Sequence, residues 1–216
     1  RGGDRGQARL ADGGGARGQI SAMSTRFARW IREARIPLTG VGLTFVTFVI
    51  FNRVAYYFQL EDGVSIFFPA TAVDVVGCMY FGIWGAIGVF LGALVTPWQP
   101  NEALTATSIS GLLNVAEGMI PYLVFRYGKR LHRDLHDMRS LFAFLLFGTI
   151  LNSAVSAILG NILLVPRYYD SWLEFRNLFM WWVSDFSAAL MIATPVLAFA
   201  SGTLERTGSS MPTRPS

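Results

Sequence analysis

Leu38–Phe58, Val64–Phe81, Leu104–Phe125, Leu141–Val165 and Phe179–Phe199 are predominantly apolar stretches. Each is near or above the ~18–20 residues needed to cross a hydrocarbon core of ~30 Å. A sixth stretch, Ile83–Trp98, is shorter but carries no charge. Within lipid every backbone N–H and C=O must be paired inside the protein, and for runs of this kind the α-helix is the solution. The expectation is an all-α, polytopic membrane helix bundle of about six transmembrane helices. Composition agrees, since 15% of the 216 residues are charged against about 25% in a soluble domain.

Lys and Arg in short loops set orientation. Arg26, Arg29, Arg32 and Arg35 precede the first run, and Arg126, Lys129, Arg130, Arg133 and Arg139 follow the fourth. The opposite loops are poor: Gln59–Asp62 and Gln99–Ala103 have no base, and Arg167–Asn177 balances two bases with two acids. Both termini are therefore expected to be cytoplasmic. Tyr56, Tyr57, Trp98, Tyr168, Tyr169, Trp172, Trp181 and Trp182 fall near the outer interface, and Trp30, Tyr80, Trp84 and Tyr127 near the inner one, the depth that amphipathic rings favour.

Lipid tails are as apolar as leucine, so spans associate through small and polar residues. Gly85, Gly88 and Gly92 mark one such face. Gly148, Asn152, Ser156 and Gly160 mark a second at four-residue spacing, and Ser184, Ala188 and Ile192 a third. Ser110, Gly111, Asn114, Glu117, Gly118 and Pro121 recur at three- and four-residue steps and share one helical face. Asn114 and Glu117, three apart, are placed to hydrogen-bond each other.

Three acids are embedded in these runs: Asp74, Glu117 and Asp185. A charged side chain at the bilayer centre costs about 2.5–3.5 kcal/mol on insertion scales, so such residues face a bundle interior or a wet cavity. Arg53 is the embedded base and is expected to pair with Asp185. The candidate ligand-binding or polar core is thus Asp74, Asn114, Glu117, Asp185, Arg53 and Asn152. The competing structural reading is that the acids are paired or protonated and merely fix helix register. Pro69, Pro97, Pro121 and Pro195, within or at the ends of runs, free backbone carbonyls and permit kinks.

Nothing points to an enzyme. There is no Gly-rich phosphate loop, no H-E-x-x-H and no nucleophile elbow. His132 and His136, with Asp134 and Asp137 close by, resemble a metal-binding pattern if helical. Arg133 and Arg139 crowd them, and a solvated loop is the preferred reading. No metal site and no cofactor are expected. The net charge of +4 reflects membrane orientation; no basic stripe with base-reading groups suggests nucleic acid. Cys78, the one cysteine, lies inside a run and implies no disulfide.

Residues 1–22 hold seven Gly and four Arg with no apolar run, and are expected to be a disordered leader, not necessarily native. The membrane domain is expected over residues 23–200, with a disordered cytoplasmic tail over 201–216.

Three segments together resemble the first class of membrane-associated sensor domains, a bacterial integral membrane module. They are Val64-Ser-Ile-Phe-Phe-Pro69-Ala with the following Phe81-Gly82 and the Gly-rich Trp84–Gly92 stretch; Asn114-Val-Ala-Glu117, similar to the family's Asn-x-x-Glu element; and Trp182-Val-Ser-Asp185 with Pro195 downstream. The resemblance covers roughly Leu38–Phe199. It implies a sensory role in the bacterial inner membrane, with a kinase or diguanylate cyclase as a cytoplasmic output partner or missing output domain, and is compatible with a homo-oligomer. It implies Asn114, Glu117 and Asp185 as a shared polar core. Asp74 stands where the family is usually apolar, Ser187, Ala188 and Ala189 stand where a Gly is expected, and the family commonly has about eight spans. A six-span substrate-binding component of a small-molecule or vitamin transporter is the alternative.

Overall fold

A computed structural model describes residues 37–61, 64–97, 103–164 and 175–200. The leader, the arginines before Pro37, Trp30, Trp98, Arg167, Tyr168, Tyr169, Trp172 and the tail after residue 200 lie outside the described residues.

Four helices have the length and apolarity to cross a membrane: α1 (Pro37–Phe58), α4 (Leu104–Tyr127), α5 (Met138–Leu163) and α6 (Phe175–Ala200). Two shorter apolar helices, α2 (Ala70–Phe81) and α3 (Ile83–Val95), lie between α1 and α4. At 1.5 Å per residue they span only about 18 and 20 Å. The run Val64–Phe81 is thus helical only in its second half. Pro69, whose ring fixes φ and whose nitrogen has no hydrogen to donate, sits at the helix start. The residues before it are extended, and Val64–Ser65 (β2) pairs antiparallel with Gln59–Glu61 (β1). Ser65 locks this connection by donating to the carbonyl of Phe67 at 2.8 Å.

Packing contacts fix helix directions. Gly77 of α2 meets Thr44, and Gly40 of α1 meets Phe81, so α1 and α2 run antiparallel. Gly88 rests on Val41 and Thr44, and Gly92 on Phe48, so α3 runs parallel to α1. Gly111 meets Phe90 and Ala93 of α3, while Gly118 meets Asp74 and Cys78 of α2. Successive helices therefore alternate in direction from α1 through α4. The α2–α3 corner is Gly82, whose φ of +58° a side chain would strain.

In α5, Phe144, Gly148, Asn152, Ser156 and Gly160 are all buried. A four-residue step drifts about 40° around an α-helix, enough over this length to carry the stripe off its face. The π segment Leu145–Leu151 takes more residues per turn and counters the drift. The same device acts in α6, where Ala189–Ala193 and Val196–Ala200 are π-helical and Asp185, Ala189, Ala193 and Leu197 are buried. Pro195, which has no N–H to give, lies between these two π segments. Pro121, by contrast, sits inside α4 without interrupting it.

At one end of the bundle Met79, Tyr80, Phe81, Phe125, Leu135, Phe144 and Leu197 form a single buried apolar cluster. Around the outside, Leu38, Leu43, Val46, Ile50, Leu112, Leu123, Phe142, Leu146, Ile158, Ile162 and Met191 are exposed. An apolar surface on this scale belongs against lipid rather than water.

Candidate functional site

Asp74, Glu117 and Asp185 come from α2, α4 and α6 and are each at most 2% exposed. The sequence dictates how they meet. Gly118, beside Glu117, lets α4 approach α2 so closely that a β-carbon there would sit 2.3 Å from the Asp74 carbonyl oxygen and 2.5 Å from Cys78 Sγ. The stripe of α5 delivers Ser156 to Glu117, and α6 delivers Asp185 to both.

Asp185 is the well-partnered acid. Thr71 Oγ1 donates to its Oδ1 at 3.0 Å, and Trp181, one turn earlier on α6, lies beside it. Glu117 lies beside Ser156 of α5 and the Asp185 carboxyl. Asp74 is different: neither of its oxygens has a hydrogen-bond partner, and one oxygen each of Glu117 and Asp185 is also unpartnered among the described residues. Asp74 stands close enough to the other two acids to interact electrostatically with both. Buried polar groups nearly always have a partner, so this concentration of unpaired oxygens is the anomaly of the molecule.

The remaining candidates fall in different places. Asn114 is buried on the same face of α4, but Glu117 takes its partners from other helices rather than from Asn114. Asn152 is buried at the junction of the π and α parts of α5, where its Oδ1 accepts from the Ser153 N–H at 2.8 Å and its Nδ2 has no partner. Arg53 does not join the acids. It is exposed, with its guanidinium 5.6 Å from the Tyr56 ring centre, and makes no ion pair to Asp185. A guanidinium is favourably placed over an aromatic face, and at this depth the outer side of α1 offers that alternative to burial.

Thr71, Trp181 and Ser156 were not among the expected site residues. Their signal is helical spacing: Thr71 lies three residues before Asp74, and Trp181 four before Asp185, each on its acid's own face. Trp182, which carries the resemblance motif, does something else. Its Nε1 donates to the Ile150 carbonyl at 3.2 Å, inside the π segment of α5.

The arrangement contains no nucleophile–base pair. Acceptor oxygens dominate it, and it suits a proton, a cationic group or a hydrogen-bond donor. No curated protein and no solved structure matches the chain. The family model MASE1 matches it across residues 38–215. With the acids placed on three helices inside that matched region, the chain belongs to MASE1, a family of membrane-associated sensor domains.

Proposed function

We propose that this chain is a non-enzymatic sensory module of the bacterial inner membrane that passes a stimulus at its polar core to a cytoplasmic output partner of kinase or diguanylate cyclase type. The observation that carries this reading is the acid junction. It ties α2, α4, α5 and α6 together through groups that are left partly unsatisfied. A stimulus that supplies the missing partner, whether a proton, a cation or a donor, favours one packing of these helices over another. A ligand shifts such an equilibrium only through its different affinity for the two states, and unpaired oxygens are where that difference arises. The output end is the apolar cluster around Phe81, Phe125, Phe144 and Leu197, into which all four of these helices run.

Six passes with both termini cytoplasmic are part of the same reading. The arginine-rich loop after α4 supports the orientation. The alternating directions of successive helices support the number, with the extended residues before Pro69 lengthening the path of α2.

The test is to place Asp74→Asn and Asp185→Asn in the source bacterium and measure partner phosphorylation and cyclic di-GMP. Both variants are expected to lock the output at one level, with no change in solute uptake. Acid-dependent uptake in proteoliposomes together with unchanged output overturns the sensor in favour of a transporter component. Cysteine labelling checks the topology, since native Cys78 is fully buried: a cysteine at Arg130 should react only from the cytoplasmic side.

A further inference from the structure

The loop between α4 and α5 holds a second group of ligand-bearing side chains, far from the acid junction in chain and in character. It is not helical, so the helical spacing that the sequence suggests for His132 and His136 is not what unites them. The chain instead turns back on itself. Leu135 adopts a positive φ of 51° and plugs the buried cluster with Phe125 and Phe144. Its N–H donates to the His132 carbonyl at 3.2 Å. The His132 N–H is in turn held by Ser140 Oγ at 2.8 Å, and Ser140 is fixed by Asp137 at the start of α5. These bonds bring the two imidazoles to 4.4 Å between ring centres. Asp134 closes the group, its Oδ1 2.6 Å from His136 Nδ1.

We propose that His132, Asp134 and His136 form a site for a divalent transition-metal ion, with Zn²⁺ the best match. One ligand atom from each residue lies within 4.8 Å of the other two, and these are the only residues among those described that meet this condition. A tetrahedral ion with bonds of about 2.0–2.1 Å needs ligand atoms roughly 3.3 Å apart, a change that side-chain rotation alone supplies. Two imidazoles and one carboxylate are a borderline nitrogen and oxygen set that suits Zn²⁺ and its neighbours rather than Mg²⁺ or Ca²⁺. The exposure of both imidazoles leaves the fourth position to water. Asp137 Oδ2, 4.0 Å from His136 Nε2, stands on the far side of that ring, where a carboxylate commonly orients a metal-bound histidine. Arg133 does not crowd the site as the sequence suggests: it is 9% exposed, on the buried side of the loop. Because Leu135 lies between the ligands and within the apolar cluster, an ion here bears directly on the ends of α4 and α5.

The experiment titrates Co²⁺ and then Zn²⁺ into the untagged full chain in lipid nanodiscs, following the Co²⁺ visible spectrum and metal content after desalting. The expected result is one equivalent per chain, a Co²⁺ spectrum of low coordination number displaced by Zn²⁺, and affinity at least tenfold weaker in His132→Ala, His136→Ala and Asp134→Ala. Mg²⁺ should not compete. These side chains are exposed or half-exposed, so the variants fold, which their thermal melting checks. Absence of saturable binding overturns the proposal, and so does binding that the histidine variants leave unchanged.

Discussion

The acid junction and the α4–α5 loop hold similar chemistry under opposite conditions. In the loop, Asp134 faces His136, Asp137 accepts twice from Ser140, and water reaches both carboxylates. In the junction, three acids sit among four helices with no basic partner among the described residues, and Asp74 lacks any hydrogen bond. Unpaired polarity is tolerable in the loop because water supplies what the protein does not. In the junction nothing does, and an unpartnered buried carboxyl persists only because close packing around it leaves no cheaper arrangement. The loop is thus a place where structure satisfies charge, and the junction one where packing withholds satisfaction.

The largest effect expected comes from breaking that packing. Gly118→Leu puts a side chain where the Asp74 carbonyl and Cys78 sulfur already stand. It should destabilise the bundle by about 3 kcal/mol or more, at the upper end of overpacking effects. Gly42 of α1, which has nothing within 4 Å of its β-carbon position, is the control, and Gly42→Leu should leave the melting temperature in detergent nearly unchanged. Equal behaviour of the two variants would show that α2 and α4 are not in close contact.

The acids themselves should then separate. Asp185→Ala removes the acceptor of Thr71 Oγ1, and should cost about 1–3 kcal/mol by orphaning a buried donor. Asp74→Asn removes a carboxyl that makes no hydrogen bond, and should leave stability unchanged or raise it by up to about 1–3 kcal/mol. Chemical denaturation of both variants decides this. A marked loss of stability in Asp74→Asn means that Asp74 has a partner and that the contrast between the acids is wrong.

Much of this was legible in the sequence, and the failures are instructive. The apolar runs announce the helices, and the faces of α4 and α5 can be read from spacing, because burial of small and polar residues leaves a periodic trace. The extended entry to α2 was not legible: Val64–Phe68 is as apolar as a helix, and only the place of Pro69 hints at the change. Nor were the π segments, since a four-residue stripe reads as α-helical until its length is weighed against the drift. Arg53 stands apart from the acids because depth along a helix is readable but the direction a residue faces there is not, and an aromatic neighbour competes with an acid. In the loop, spacing was the wrong clue. His132 and His136 meet through a left-handed residue and a serine clasp, which no periodicity reports.

The smallest expected effect tests the loop half of the comparison. The hydrogen bond and charge of Asp134 hold the His136 imidazole above its ordinary value of 6.5, and Ser140 holds the Asp137 carboxyl below the usual carboxylate range. For a histidine raised on folding, the contribution to stability is complete below the unfolded value and is lost as pH rises through the folded one. Asp137 acts in the opposite sense: its contribution is present above the unfolded value and lost as pH falls through the lowered one. Both groups are solvated, so the change in stability is slight and the titration itself is the measurement. In metal-free protein, the histidine signals of the wild type and of Asp134→Asn should be followed by NMR across neutral pH. The variant's His136 should move back toward 6.5. An unmoved His136 means that the imidazole and Asp134 do not meet in solution, and the satisfied loop would then be no better paired than the junction.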